Sequence, residues 1–354
     1  MSANPEVRRI LCAGDRFIEA SALAGAARAR FDGATLVEHS SGWPDEPFGS
    51  VAGVREAAGD PAQLAKAGSG VGLILTHLAP ITDEVLAAAG PGLRAVGVTR
   101  GGPVNVDLAA ATRRGVPVAH LPGRNLGAVA EFVIGAMISV TRNIGAASRG
   151  MARGRWDGTY FRYGKCGPEL RAATVGLVGF GAVGMRVAEL LRAFGSTVVA
   201  HDPYADPDKA RELGVRLVEL PELLGICDIV SVHARLTDST RGMFGAEAFS
   251  AMKPGACFVN TARGELVDEA ALTEALADGR IRAAALDVFH PEPPAPDHPL
   301  LARDDVLATP HLAGASRQVA QDSARRIVDA VADFLRTGRL EFCANPQVLA
   351  PSSR

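Results

Sequence analysis

Three side chains in the second half of the chain have the types that proton transfer and carboxylate binding require. Arg263 lies in the string from Val259 to Asp268 (VNTARGELVD), Glu292 in the string from Asp287 to Pro293 (DVFHPEP), and His311 in the string from Thr309 to Ser316 (TPHLAGAS). A histidine exchanges protons near neutral pH, and a neighbouring carboxylate raises its pKa and fixes its ring. An arginine presents a planar, permanently charged fork that grips a carboxylate through two hydrogen bonds. Taken singly, each has a plain alternative: a salt bridge at a helix start, a solvated loop acid and a satisfied surface histidine. A second constellation precedes them, the glycine run Gly179-Phe-Gly-Ala-Val-Gly184.

G-x-G-x-x-G is a short pattern, and its context decides its meaning. Here the apolar run Thr174 to Val178 reads as a buried strand leading into it, and Met185 to Phe194 reads as a helix leading out. A strand–turn–helix of this kind lets a pyrophosphate approach bare backbone N–H groups at a helix N-terminus, where the partial positive charge favours an anion. Asp202 stands eighteen positions beyond Gly184, at the end of the next apolar run. A carboxylate there accepts hydrogen bonds from the ribose hydroxyls of NAD and repels the 2′-phosphate of NADP. No basic residue follows until Lys209, so NAD is the expected cofactor.

Alternating strand and helix signals position these residues. In the first third, apolar runs at Arg8 to Asp15, Ala34 to Glu38, Val71 to Leu75, Leu93 to Val98 and Val116 to Ala119 read as strands. Helix-like segments lie between them: an alanine-rich stretch to Arg30, Asp83 to Ala89 and Val106 to Arg114. A second series follows at Thr174 to Val178, Thr197 to His201, Ile229 to His233, Cys257 to Asn260, Ala283 to Val288 and Val306 to Thr309. Repeated βα alternation implies parallel sheets flanked by helices. The glycine-, arginine- and aromatic-rich stretch Gly150 to Gly167 reads as a domain junction, and Pro291 to Pro299 as a stiff surface loop. After Ala313, the spacing of Val319, Ile327, Val331 and Leu335 predicts an amphipathic helix that returns to the first domain.

At 354 residues the chain has room for two domains, and 47% apolar with 21% charged residues is a globular composition. The 37 basic and 39 acidic side chains leave no global field to draw it to nucleic acid or an anionic membrane. Its five cysteines are scattered without paired spacing, which argues against a disulfide framework or a zinc site; no metal is expected. The amino terminus has no long apolar core of a signal peptide, and a cytoplasmic location is the expectation. The apolar stretch Val129 to Val140 is too short to span a bilayer of about 20 residues.

In this order behind a dinucleotide fold, these strings resemble the D-2-hydroxyacid dehydrogenase family over nearly the whole chain. The resemblance implies an α/β protein of two Rossmann-like or flavodoxin-like parallel-sheet domains with a deep interdomain cleft. Residues 1–120, completed by 313–354, would form the substrate domain, and residues 121–312 the NAD-binding domain. It implies that Arg263 binds the substrate carboxylate and carbonyl, that His311 is the acid/base and that Glu292 hydrogen-bonds that histidine. Cofactor contacts would come from Gly179, Gly181, Ala182, Val183, Gly184, Asp202, His233, Thr261, Ala262, Asp287 and Gly314. Gly101 and Gly102, in the string from Val96 to Asp107 (VGVTRGGPVNVD), match the family's carboxylate-holding loop; Asn125 falls in the matching interdomain segment. The family commonly has proline where this chain has Arg235, beside the adenine pocket. The family is typically homodimeric through its cofactor domain, and Phe132 to Val140 is either such a contact or a core helix.

The loop string resembles the phosphoglycerate-dehydrogenase-like subgroup, but the sequence stops at Arg354, so a C-terminal regulatory domain with serine feedback is not expected. His77, Arg100 and Arg124 border the substrate by the same match. They would either favour an acid with a second anion, such as a phosphate, a phosphonate or a sugar acid, or make structural salt bridges. The expected activity is interconversion of a 2-oxo acid and a D-2-hydroxy acid. The alternatives are an NAD(H)-sensing binding protein of corepressor type and a phosphite-type dehydrogenase; the formate enzymes place glutamine where this chain has Glu292.

Overall fold

The computed structural model describes residues 7–45 and 49–349, so the amino-terminal residues on which the export expectation rests, and the last five residues of the expected substrate domain, lie outside the described residues. The chain divides into two compact units, one formed by residues 1–124 with 316–354 and the other by 125–315. The Gly150 to Gly167 stretch is therefore no junction: it lies inside the second unit as short helical turns, and the chain crosses between units at 124/125 and 315/316. Glycine and aromatic content marked an irregular surface segment, which is not the same thing as a boundary.

The first unit opens with strand β1 (Arg9–Gly14), helix α1 (Ala20–Arg30) and strand β2 (Thr35–Ser40). A short antiparallel hairpin follows, β3 (Gly49–Val51) and β4 (Val54–Ala57), then α2 (Pro61–Ala67), β5 (Leu73–Thr76), α3 (Asp83–Ala89), β6 (Ala95–Val98), α4 (Leu108–Arg113) and β7 (Val118–Ala119). Local chemistry sets the helix starts: Asp60, Thr82 and Asp107 each accept a first-turn backbone N–H with the side chain. The hairpin, absent from the expected elements, turns on Ala52 and Gly53, both at positive φ. Ala-Gly is a weak turn signal, and the strands it joins are only 3 and 4 residues long.

The first unit's main sheet is parallel throughout, in the order β2-β1-β5-β6-β7. Its inner strands β5 and β6 are buried along their whole length, as expected of a sheet covered on both faces.

The second unit carries β8 (Thr174–Val178), β9 (Thr197–His201), β10 (Arg216–Leu217), β11 (Ile229–Val232), β12 (Ala256–Asn260), β13 (Ile281–Leu286) and β14 (Val306–Ala308). All pair in parallel, in the order β10-β9-β8-β11-β12-β13-β14, so the order reverses between β8 and β11. Helices α5 (Leu126–Thr141), α6 (Ile144–Ala152), α7 (Ala182–Phe194), α8 (Pro207–Glu212), α9 (Leu220–Ile226), α10 (Ala246–Ala251) and α11 (Glu269–Ala277) connect and cover the strands. Helix α5 is a core helix of this unit: Val133, Met137 and Val140 are buried, and it packs on α7, β12 and β13. Among the described residues, no single helix is long and apolar enough to cross a membrane.

The first unit is completed by helix α12 (Arg317–Thr337), capped by the Ser316 hydroxyl at its start and by Gly338 in the left-handed conformation at its end. Its buried stripe, Val319, Ile327, Val328 and Val331, lies against α1 and β6. Gly97 on β6 permits that approach, because a Cβ there would come within 2.9 Å of the Ile327 side chain. Removing Ile327 to alanine would cost about 2–5 kcal/mol.

Candidate active site

At the reversal between β8 and β11, β8 runs into the glycine turn. Gly179 sits at φ +98, and a Cβ on it would lie 2.5 Å from the backbone N of Ala234. A Cβ on Gly184 would lie 2.3 Å from the Gly179 carbonyl oxygen. Both positions are thus closed to any side chain. Gly181 differs: nothing lies within 4 Å of its Cβ position, so its backbone faces open space at the start of α7, with Ala182 and Val183 in the helix's first turn. Open backbone at a helix N-terminus is what a pyrophosphate needs.

Asp202, at the carboxyl end of β9, accepts the Phe180 N–H at 2.8 Å on one oxygen and the Tyr204 N–H at 2.9 Å on the other. It is thereby tied to the glycine turn, and each oxygen keeps a lone pair for a ribose hydroxyl. His233 follows β11; its Nε2 lies 3.0 Å from the Ser231 hydroxyl, and desolvation pushes its pKa down to about 4, so it is neutral. Thr261 follows β12 with a buried hydroxyl that has no partner among the described residues, and Ala262 beside it donates its N–H to the Asn260 side chain. A row of open backbone, a pre-set carboxylate and an orphaned hydroxyl along the carboxyl ends of these strands fits a dinucleotide.

The three candidate catalytic residues converge on the same edge of this sheet. His311 Nδ1 lies 2.9 Å from Glu292 Oε2, and the other Glu292 oxygen accepts the Phe289 N–H at 3.0 Å. With Nδ1–H donated to Glu292, Nε2 is the nitrogen left for proton exchange. The Glu292 hydrogen bond, more than burial opposes it, raises the pKa of His311. Burial pushes the Glu292 carboxyl up, but the His311 hydrogen bond and charge, the Phe289 N–H and the Arg263 charge together hold it below its usual value. Arg263 acts electrostatically on both members of the pair. Its guanidinium is exposed and donates one hydrogen bond, 2.6 Å, to the Ala262 carbonyl.

His311 adopts φ +55, a left-handed conformation that a non-glycine residue takes only when its surroundings impose it. Asp287, directly after β13, imposes it. Its carboxylate accepts the Thr309 hydroxyl at 2.6 Å and the N–H groups of Leu312 and Ala313 at 2.7 and 2.8 Å, while its carbonyl accepts the His311 N–H at 2.9 Å. Asp287 is 1% exposed and its oxygens serve the His311 loop. Gly314 ends that loop; a Cβ there would lie 2.5 Å from Asn125 Nδ2, so Asn125, at the start of α5, packs against it. Glu269, a residue the sequence did not single out, accepts the His290 N–H at 3.0 Å and pairs with His298 at 2.9 Å, fastening the loop that carries Glu292.

The model of the family described as "D-isomer specific 2-hydroxyacid dehydrogenase, NAD binding domain" matches residues 134–313. The chain belongs to the D-isomer specific 2-hydroxyacid dehydrogenase family. YoaD of Bacillus subtilis, provisionally named a 2-hydroxyacid dehydrogenase, is 45% identical over 260 residues, 73% of this chain and 74% of YoaD. A D-3-phosphoglycerate dehydrogenase of Archaeoglobus fulgidus is 37% identical over 280 residues, 79% of this chain. The match spans 52% of that relative, so the chain covers about half the length of such enzymes. The crystal structure of the TT0316 protein from Thermus thermophilus superposes with a TM-score of 0.75 at 32% identity, over 95% of this chain and 99% of that one. The second unit holds the family's NAD-binding domain, and NAD is the cofactor its glycine turn and Asp202 suit.

The remaining expected residues lie in the first unit. Gly101 and Gly102 are exposed in the turn after β6. Arg100 pairs with Glu56, whose backbone carbonyl also accepts from it at 3.1 Å. His77 is 3% exposed with both ring nitrogens engaged: Nδ1 lies 2.6 Å from Asp15 Oδ2, and Nε2 lies 3.3 Å from Arg124 Nη2. It has no nitrogen free for a ligand. In the sequence Asp15 stands out only as the end of the first apolar run; its position directly after the first parallel strand was the available signal.

Proposed function

We propose that the protein is an NAD-dependent oxidoreductase that interconverts a 2-oxo acid and a D-2-hydroxy acid, with the second unit as cofactor domain and the first as substrate domain. The observation that carries this reading is the Glu292–His311 pair under the charge of Arg263, on the strand edge where the glycine turn and Asp202 receive the dinucleotide. When bound, the reduced cofactor supplies hydride to C2 of the oxo acid. Arg263 grips the carboxylate and draws electron density toward the carbonyl oxygen through its fork. His311 Nε2 delivers the proton that oxygen needs, and Glu292 stabilises the imidazolium beforehand and fixes the ring that carries it. In the reverse direction neutral Nε2 accepts the hydroxyl proton.

A spectrophotometric screen of NADH and NADPH oxidation against 2-oxo acids, phosphorylated and not, tests the reading. NADH-dependent reduction is expected, with Arg263→Ala and His311→Gln each lowering turnover by roughly two to four orders of magnitude while NADH still binds. Full turnover in both variants would overturn the assignment.

A further inference from the structure

The stretch Val288 to Pro293, which carries Glu292, has little scaffold of its own. It makes no backbone-to-backbone hydrogen bond among the described residues, and Pro291 and Pro293, on either side of Glu292, have no N–H to donate. The Phe289 N–H turns inward, to Glu292 itself. Among the described residues the His290 N–H is then the backbone donor that ties the stretch to the rest of the second unit, and its acceptor is Glu269 Oε1 at 3.0 Å.

Glu269 is available for this because its own helix does not use it. Asp268 caps α11, accepting the N–H groups of Ala270 and Ala271, and both Glu269 oxygens reach off the helix instead. Oε2 lies 2.9 Å from His298 Nε2. His298 Nδ1 is buried with no hydrogen-bond partner among the described residues, and an N–H there would be an orphaned donor. The ring proton therefore sits on Nε2 and is donated to Glu269. The His298 ring also stands edge-on to Phe289, with centroids 5.9 Å apart, while its backbone N–H and carbonyl are bonded to Ala295 and Leu301. The further titratable contact of the stretch is Glu265, 3.8 Å from His290 Nδ1.

The other side of the stretch rests on the arginine segment. A Cβ on Gly264 would lie 2.1 Å from the Phe289 carbonyl carbon and 2.7 Å from the His290 nitrogen, so the backbone directly after Arg263 touches the peptide that Glu269 holds. We propose that Glu269 is a positioning residue of the catalytic constellation: it keeps Glu292 within reach of His311 and the Glu292 loop in register with the Arg263 segment, and His298 fixes its carboxylate. It acts through Glu292, and a displacement of about 1 Å at a catalytic group can cost on the order of 100-fold in rate. This rests on the oxidoreductase reading above, and deepens it.

Two conservative substitutions in the full-length protein separate positioning from a merely stabilising acid at a helix start. Glu269→Asp keeps a negative charge at the N-terminus of α11, where the helix dipole favours it, but is one methylene too short to reach His290. Glu269→Gln keeps the reach and an oxygen for the His290 N–H, but loses the charge and the bond from His298. With kcat and KM measured on the best 2-oxo acid of the screen, Glu269→Asp is expected to lower kcat by roughly 10- to 100-fold, the value of a hydrogen bond to a charged acceptor, while NADH affinity holds; Glu269→Gln should stay within about fivefold of the parent. In a proton–nitrogen NMR titration, Glu269→Asp should bring the His311 pKa from its raised value back toward the ordinary one as Glu292 leaves the ring, and Glu269→Gln should leave it close to the parent. A role confined to helix stability gives the reverse order. Glu269→Gln as damaging as Glu269→Asp or more so, or an unmoved His311 titration in Glu269→Asp, overturns the proposal. Absence of turnover in the parent protein on every acid defeats the oxidoreductase reading and leaves the NMR comparison to decide whether Glu269 holds the Glu292–His311 pair.

Discussion

Replacing Asp287 by asparagine separates two roles for that residue, loop anchor and cofactor contact. The carboxylate holds three donors, of which the Ala313 N–H at 2.8 Å has one oxygen to itself while the Thr309 hydroxyl and the Leu312 N–H share the other. Asparagine keeps the shape but has a single oxygen. In its better orientation it retains Thr309 and Leu312 and turns its NH2 toward the Ala313 N–H. Ala313 is 4% exposed, so water cannot take the place of the lost acceptor. A hydrogen bond to a charged acceptor contributes about 1.5–3 kcal/mol and an orphaned buried donor costs about 1–3 kcal/mol. The contacts that remain must also hold His311 at φ +55, a conformation that costs on the order of 1–3 kcal/mol. The loop is thus expected to lose about 3 kcal/mol of anchoring, roughly a 150-fold rise in its open population. Amide hydrogen exchange read by mass spectrometry on peptides covering 309–315 should accelerate by that factor, with helix α12 as the unchanged internal reference and turnover falling while NADH affinity holds. Unchanged exchange together with weakened NADH binding would refute the anchoring role and make Asp287 a cofactor contact.

The glycine turn predicts a contrast within one motif. Gly181→Ala meets nothing within 4 Å, so its thermal midpoint should match the parent while NADH binding weakens at least about tenfold; Gly184→Ala puts a methyl 2.3 Å from a backbone oxygen and should lose about 3 kcal/mol of stability. A destabilised Gly181→Ala or a fully stable Gly184→Ala would show that the turn has been misread. The Glu292–His311 pair sets the pH profile. Because the folded-state pKa of His311 is raised, reduction should fall as pH rises through that raised value, and Glu292→Gln should move the fall to lower pH; a profile that does not move would remove Glu292 from the acid/base role. The same shifts bound the pair's contribution to stability, which is lost as pH falls through the lowered pKa of Glu292 and lost again as pH rises through that of His311.

The parts of the molecule legible in its sequence are those where backbone geometry dictates residue type. Gly179 and Gly184 are glycines because backbone atoms occupy their Cβ positions, and the strands around them are runs of apolar residues because both faces of the sheet are covered. The α12 stripe is visible for the same reason, one helix face packed on a sheet. Strand β10, 2 residues long, carries too little pattern to register, and the β3–β4 hairpin turns on an ordinary alanine. Side-chain pairing was hidden more deeply. Asp15 and His77 are 62 positions apart, Arg100 and Glu56 44, and no spacing rule joins them; Glu56 reaches Arg100 from a residue at φ +46, which no sequence pattern announces. Hence the sequence could set three cations side by side, but only the fold shows what each is paired with.

The two units solve one problem in the same way and use it for opposite ends. In each, an aspartate directly after a parallel strand is buried and accepts two backbone N–H groups and one side-chain donor: Phe17, Ile18 and His77 for Asp15, Leu312, Ala313 and Thr309 for Asp287. Each thereby fixes a histidine at the sheet's carboxyl edge. The environments then diverge. The His311 side chain is 46% exposed and bonded to a carboxylate held ionised, which raises its pKa; the His77 side chain is 3% exposed, under two guanidinium charges, and its pKa is lowered. Titratable groups pushed apart in this way take different chemical roles, proton donor for one and fixed acceptor for the other. A proton–nitrogen NMR titration of the ring nitrogens should therefore find His311 becoming charged first as pH falls, with His77 still a neutral Nδ1–H tautomer when His311 is fully protonated. His77 charging first, or the two titrating together, would mean that the Arg124 donor is not aimed by a neutral ring.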